Sequence, residues 1–270
     1  MNVTIAEFQE LVWEHYREHK RQLPWRLPDK NGKFDPYKIM VSEIMLQQTQ
    51  AVRVIPKYES FLHQFPSIDG LAQAPQAEVL NSWSGLGYNR RAKYLWETAK
   101  VITTEHKGVF PSTTEKLIAL PGIGHNTAAA ILAYAYNQPV VFIETNIRTV
   151  FIYHFFPGQD MVSDTEITPL VTTALDSDHP REWYWALMDY GVHIKSTAGN
   201  AARNSKHYKK QSPFKGSRRE IRGKILRILS QGPASLQKLS TDIADDRLPE
   251  VVIDLLSEGL IHRTDDTLRL

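Results

Sequence analysis

"LPGIGHNTAAAILAYAYNQPVVFIETN" runs from Leu120 to Asn146. Gly122 and Gly124 flank one isoleucine, His125, Asn126 and Thr127 follow, and an Ala-rich run leads to a lone carboxylate, Glu144. Glycines free the backbone for tight turns. Asn126 or Thr127 can cap the helix that the alanines begin. Two readings fit. The stretch is an ordinary helix–helix turn, or it is a hairpin that aims main-chain N–H groups outward. In the second case those groups and the positive end of the following helix suit one anion, such as a DNA phosphate.

The surroundings of this stretch are helical. Ile5–Tyr16, Tyr37–Gln50, Val52–Gln64, Ser67–Gln73, Gln76–Ser82, Asn89–Thr103, Ser112–Leu120 and Asn126–Tyr136 each carry apolar residues at three-to-four spacing. The prolines mostly sit at the breaks or in first turns. Few segments alternate with period two, so the spacing predicts an all-α body with short loops. Hydrophobic residues make up 42% of 270 residues, enough for one large domain or two modest ones. No run reaches the ~18 apolar residues of a membrane span, and the N-terminus lacks the features of a signal peptide. The chain reads as a cytoplasmic protein, a monomer with no membrane partner. It contains no cysteine, which removes disulfides, thiolate metal sites and cysteine nucleophiles together.

The net charge of +2 hides an asymmetry. From Lys195 to Arg227 eleven Lys or Arg face one acid, Glu220, a local net of +10, so the remainder sums to −8. Such a run is either a solvated linker or a phosphate-contacting segment, with Lys206, Lys209 and Lys210 at its centre. Residues 196–217 hold Gly, Asn, Ser and Pro and read as a basic loop. Beyond it helices are expected over Arg218–Ser230, Ser235–Ile243 and Leu248–Gly259, then a hairpin turning at Asp265-Asp266. Residues 218–270 are therefore either a winged-helix-like module or a small helical cap.

Three further segments carry polar groups in unusual company. "YKIMVSEIMLQQTQ" sets Glu43 among Met40, Val41, Ile44 and Leu46. A carboxylate there is either structural or a carboxyl held protonated by desolvation, as a general acid requires. Gln47, Gln48 and Thr49 follow as a polar cluster. "SGLGYNRRAKYL" combines a glycine turn with Tyr88, Arg90 and Arg91. Amides, an aromatic wedge and cations are the parts needed to open a base stack. "LPWRLP" offers Trp25 and Arg26 as an aromatic and cationic rim.

On "SEIMLQQTQ", "GLGYNRRAKYL", "LPGIGHNTAAAI" and "LMDYGVHI" the chain resembles the helix-hairpin-helix (HhH-GPD) DNA glycosylases, most closely the MutY-type adenine glycosylases. The resemblance covers roughly residues 5–195. It implies two helical subdomains, a body over 1–195, and an enzyme that flips a nucleotide from mismatched or damaged double-stranded DNA and cuts its N-glycosidic bond. Glu43 matches the acid that protonates the purine. Gln48 and Tyr88 match residues that insert into the helix, and Thr49 and Leu86 match contacts to the opposite base. Arg26 matches a residue of the adenine pocket, in which Trp25, Leu46 and Asn126 are expected beside it. Gly122, Gly124 and Thr127 match the phosphate-binding hairpin, with His125 between them. Asn146 matches the asparagine two residues beyond the catalytic carboxylate.

The chain also departs from the family. The family's catalytic aspartate is replaced by Glu144, one methylene longer. The cluster pattern C-x6-C-x2-C-x5-C falls on Lys195, Ala202, Ser205 and Gln211, so no iron–sulfur cluster and no other metal is expected, an alkali ion on hairpin carbonyls excepted. Residues 218–270 are too few for the family's oxidised-guanine recognition domain. Asn126 stands where bifunctional relatives carry a lysine, and an amide forms no Schiff base. The expected activity is that of a monofunctional glycosylase in base excision repair, for adenine opposite guanine or oxidised guanine. The alternatives are a thymine or uracil mismatch glycosylase, and a catalytically idle mismatch-binding protein.

Overall fold

The first helix starts where the sequence supplies both halves of a capping box. The Thr4 hydroxyl accepts from the Glu7 N–H at 3.3 Å, and the Glu7 carboxylate accepts from the Thr4 N–H at 2.9 Å. The computed structural model describes residues 3–270. Its helices are α1 (Ile5–His19), α2 (Pro36–Leu46), α3 (Ala51–Gln64), α4 (Ile68–Gln73), α5 (Gln76–Ser82), α6 (Arg90–Thr104), α7 (Thr114–Ile118), α8 (His125–Tyr136), α9 (Thr145–Phe155), α10 (Asp164–Ala174), α11 (Pro180–Thr197), α12 (Arg218–Leu229), α13 (Leu236–Ile243) and α14 (Leu248–Ser257). The strands are β1 (Ala234–Ser235), β2 (His262–Thr264) and β3 (Thr267–Arg269). The chain is all-α apart from this small sheet.

Two compact units form. Unit 1 comprises Met1–Met40, Ser112–Ala119 and Ile123–Lys210, and unit 2 comprises Val41–Pro111, Leu120–Gly122 and Gln211–Leu270. Residues 1–195 are thus shared between the units, and the C-terminal segment belongs with the helices that follow Met40. No described helix is long and apolar enough to cross a membrane.

In unit 1, α11 packs on α9, α1 and α8. Phe8 of α1 is the hub: its ring lies 5.1 Å from Phe151 and from Phe155 of α9, and 6.2 Å from Trp183 of α11. Helix α8 is buried from Ala128 to Ala135. Its sequence is apolar all round, the pattern of a helix enclosed on every side. In unit 2, α6 packs on α4 and α5, around Trp83, Leu71, Leu95 and Ile102. Pro56 lies inside α3, which continues past it to Gln64.

Within unit 2, residues 218–270 run α12, β1, α13, α14, β2, β3, the connectivity of a winged helix. Both sheet pairings are antiparallel, in the order β1-β3-β2. Asp265, at the turn between β2 and β3, takes a left-handed φ of 52°. Ile225, Leu239, Val251, Leu255 and Leu260 fill the interior of this module.

Candidate active site

The head of α9, in unit 1, is organised by one side chain. Glu144 is the N-cap residue. Its Oε1 accepts from the Asn146 N–H at 2.5 Å and the Ile147 N–H at 3.1 Å, two groups that a helix start leaves unpaired. Oε2 is less engaged, 3.5 Å from Asn146 Nδ2. The Glu144 carboxylate thus curls back over its own helix. Asn126, from the start of α8, donates from Nδ2 to the Ile143 carbonyl at 2.8 Å and so ties α8 to the residue before Glu144. Burial raises the Glu144 pKa. The Asn146 N–H, Lys195, the Ile147 N–H and Arg148 oppose that shift without cancelling it.

The glycines of the Leu120–Thr127 stretch play different parts. Gly122 has a φ of 72°, and a Cβ there would lie 2.6 Å from Cβ of Tyr94, also in unit 2. Only glycine fits. Gly124 has a φ of −90°, open to any residue, and is the N-cap of α8 with no side-chain cap bond. The expected cap at Asn126 or Thr127 is therefore corrected. The helix starts earlier, at exposed His125, and the Asn126 amide serves Ile143 instead.

Trp25 and Arg26, expected as a rim, are both buried in unit 1. Arg26 donates from Nη1 to Asp189 Oδ2 at 2.8 Å and from Nη2 to Asp189 Oδ1 at 2.9 Å. This bidentate pair spans 163 residues of sequence.

In unit 2, Glu43 is half-buried on α2 between buried Ser42 and Ile44, and Leu46 is half-buried at the end of that helix. Gln48 and Tyr88 share a feature that no composition shows. Both take left-handed backbone conformations, with φ of 54° and 48°. Such residues are costly for any side chain but glycine and concentrate at functional sites. Their turns are joined by Arg91. Its Nη1 donates to the carbonyls of Ile44 at 2.7 Å, Met45 at 3.0 Å and Gln47 at 2.6 Å, and its Nη2 to Gly87 at 3.1 Å and Thr49 Oγ1 at 3.3 Å.

Arg91 is only 8% exposed, and its guanidinium is turned to main chain. It satisfies the carbonyls that end α2, and burial pulls its pKa down to about 10. Arg90, one residue earlier, is exposed and donates to Tyr94 Oη at 2.8 Å. The Leu86 side chain is in the core, 3% exposed.

The C-terminal segment reaches the Tyr88 turn. Arg219 Nη1 donates to Tyr88 Oη at 3.1 Å, and the Gln211 amide donates to the same oxygen. A cleft of about 320 Å³ opens there, lined by Gln48, Tyr88, Asn89, Arg90, Arg219 and Arg222 among others. Nothing in the residue pattern singles out Arg219 or Arg222 beyond their place in the basic run.

That run divides in two. Arg218 pairs with Glu250 and Asp254, Arg222 with Glu258, and Lys224 with Glu220. Lys206, Lys209 and Lys210 are exposed. The start of the expected loop is not free: a short 3-10 turn, Ala201–Asn204, packs on α9, and Val162 and Ser205 form a parallel bridge. Lys195, Ala202, Ser205 and Gln211 do not fit an iron–sulfur group. None is a thiol, and Ala202 and Ser205 are packed into the protein.

Comparison with known proteins decides the family. Residues 41–168 match the HhH-GPD superfamily of base excision DNA repair proteins. The chain is 31% identical to an adenine DNA glycosylase of Mycolicibacterium smegmatis over 290 aligned positions, covering 98% of this chain and 95% of that protein. The chain belongs to the HhH-GPD superfamily. An adenine DNA glycosylase of Buchnera aphidicola is 36% identical over 195 residues, 71% of this chain but 53% of the relative. Among solved structures, a thermostable thymine-DNA glycosylase superposes with a TM-score of 0.62 at 22% identity, over 73% of this chain and 90% of that one. An endonuclease III–DNA complex superposes with a TM-score of 0.56 at 15% identity, over 78% and 91%. These two likenesses concern the fold.

Proposed function

We propose that this HhH-GPD protein is a monofunctional DNA N-glycosylase of base excision repair that removes adenine mispaired with guanine or oxidised guanine from duplex DNA. The observation that carries the reading is the Glu144 carboxylate at the head of α9. It stands on a chain alike over nearly its whole length to adenine DNA glycosylases. Glu43 gives its proton to the adenine ring, which makes the base a neutral leaving group. The N-glycosidic electrons leave with the base, and positive charge develops at C1′. Glu144 stabilises that charge. Water adds to C1′ and loses a proton, leaving an abasic site.

Asn126 supports the water-dependent course, because its amide cannot attack a sugar carbon as an amine would. Gln48 and Tyr88, strained on adjoining turns, are the wedge that fills the vacated stack. Lys206, Lys209 and Lys210 contact phosphate. The chain works without an iron–sulfur cluster, since it has no thiol to hold one.

Labelled duplexes carrying A·G, A·8-oxoguanine, T·G or U·G pairs, incubated with the protein and treated with alkali, test the reading. Strand cleavage at adenine is expected. Cleavage only at T or U moves the protein to the pyrimidine mismatch glycosylases. No cleavage on any duplex, with binding retained, makes it a mismatch-binding protein.

A further inference from the structure

Two residues of α11, one turn apart, meet the head of α9. Gly191 comes so close that a Cβ there would lie 2.7 Å from the Asn146 carbonyl oxygen and 2.8 Å from Asn146 Cβ. The glycine sets the gap between the helices. Lys195, four residues on and so on the same helix face, uses that gap: its Nζ donates to Asn146 Oδ1 at 2.6 Å. An ammonium only donates. It therefore fixes which end of the Asn146 amide faces it and turns Nδ2 away, toward Glu144 Oε2 at 3.5 Å and Met188 Sδ at 3.6 Å.

The other charges nearby are accounted for. Arg148 of α9 is held by Asp164 of α10 at 2.6 and 2.7 Å. His207 lies 4.0 Å from the same Asp164 carboxylate. Arg148 thus shares its charge with an acid of its own, and of the two cations that favour the Glu144 carboxylate Lys195 acts the more strongly. Lys195 is half-buried, a cost that a lysine free to reach solvent avoids.

We propose that Lys195 is a positioning residue for Glu144, acting through Asn146: it locks the amide that faces the carboxylate and supplies a fixed positive charge beside it. The inference rests on the role proposed above for Glu144.

Two readouts on the intact protein test it. The first is titration of the ¹³C-labelled glutamate carboxyls, with the Glu144 signal assigned by its loss in Glu144→Gln. The second is single-turnover excision from an A·G duplex across pH. Lys195→Met should raise the Glu144 midpoint by about one pH unit. It should slow excision about tenfold at neutral pH and move the acidic limb of the rate profile upward, with duplex affinity unchanged at high salt. Lys195→Arg should restore both readouts. Lys195→Gln, which keeps a donor without the charge, should leave the midpoint high.

An unchanged midpoint in Lys195→Met overturns the proposal, and so does a shifted midpoint with an unchanged rate. If the wild-type protein excises nothing from any duplex, the proposed function fails instead. The titration then still decides whether Lys195 acts on Glu144.

Discussion

Asp189 is gripped from two sides. Arg26 engages both of its oxygens, and Arg21 adds its main-chain N–H at 2.9 Å and Nε at 2.6 Å. Burial raises the Asp189 pKa, but the Arg26 and Arg21 bonds and charges outweigh it and hold the carboxyl below its ordinary value.

Asp189→Asn strands the buried Arg26 guanidinium and should cost about 3 kcal/mol or more of unfolding free energy, read from urea titrations at neutral pH. The pH dependence follows from the lowered folded pKa. The carboxylate stabilises the fold above the unfolded value of about 4, and that contribution is lost as pH falls through the lower folded value. The gap between wild type and Asp189→Asn should therefore close in acid. A gap independent of pH down to acid unfolding would contradict the pairing.

Glu144→Gln removes a charge and keeps the shape. Excision should collapse while duplex binding persists. Stability should move the other way. The folded Glu144 pKa is raised, so its contribution to folding is fully present below the unfolded value, where the group is protonated, and is lost as pH rises through the folded one. Glu144→Gln should thus melt higher than wild type at neutral pH, an advantage that vanishes in acid. Glu144→Asp keeps charge and cap and should excise at close to the wild-type rate. A large loss in the Asp variant would mean that the site is fitted to the longer side chain.

Glu43→Gln preserves size and hydrogen bonding but has no proton to give. Single-turnover excision should fall by at least ~10²-fold, and affinity for a mismatched duplex should stay near wild type. Undiminished excision by this variant would remove Glu43 from the mechanism.

Neutralising Lys206, Lys209 and Lys210 together should weaken binding to matched and mismatched duplexes alike. For every phosphate that a removed lysine had neutralised, the log–log salt dependence should flatten by about 0.9. Gln substitutions at Arg218 should leave that slope alone, because its guanidinium is engaged by Glu250 and Asp254. Equal slopes for wild type and the triple variant would make the segment a plain linker.

Helix boundaries are legible in the sequence where local chemistry sets them. The helices predicted from Ile5, Ser67 and Ser235 start within one residue of those positions, because the cap residues Thr4, Ser67 and Ser235 act within three or four residues. The site is legible in its residue types and less so in its contacts. Arg90 and Arg91 are equivalent in sequence, yet the ~100° turn per helical residue sends one outward and one into the core. Trp25 and Arg26 read as a rim because Asp189, which holds the arginine, is 163 residues from Arg26. Glu144 shows itself as a cap only once α9 is known to begin at Thr145, and that helix carries no strong stripe on which to place its start. Lys195 reads as one basic residue among eleven because its bond to Asn146 spans two helices.

Arg91 has a dynamic consequence. One guanidinium closes the turn that carries Gln48 and the turn that carries Tyr88, so neither can loosen without leaving buried donors and acceptors unpaired in the other. The two segments must open as a single cooperative unit, and their amide hydrogens should exchange with solvent at a common free energy. Under the proposed function, a wedge built this way enters a duplex as one stiff part. The entropy of ordering it is met when the protein folds, before any DNA arrives.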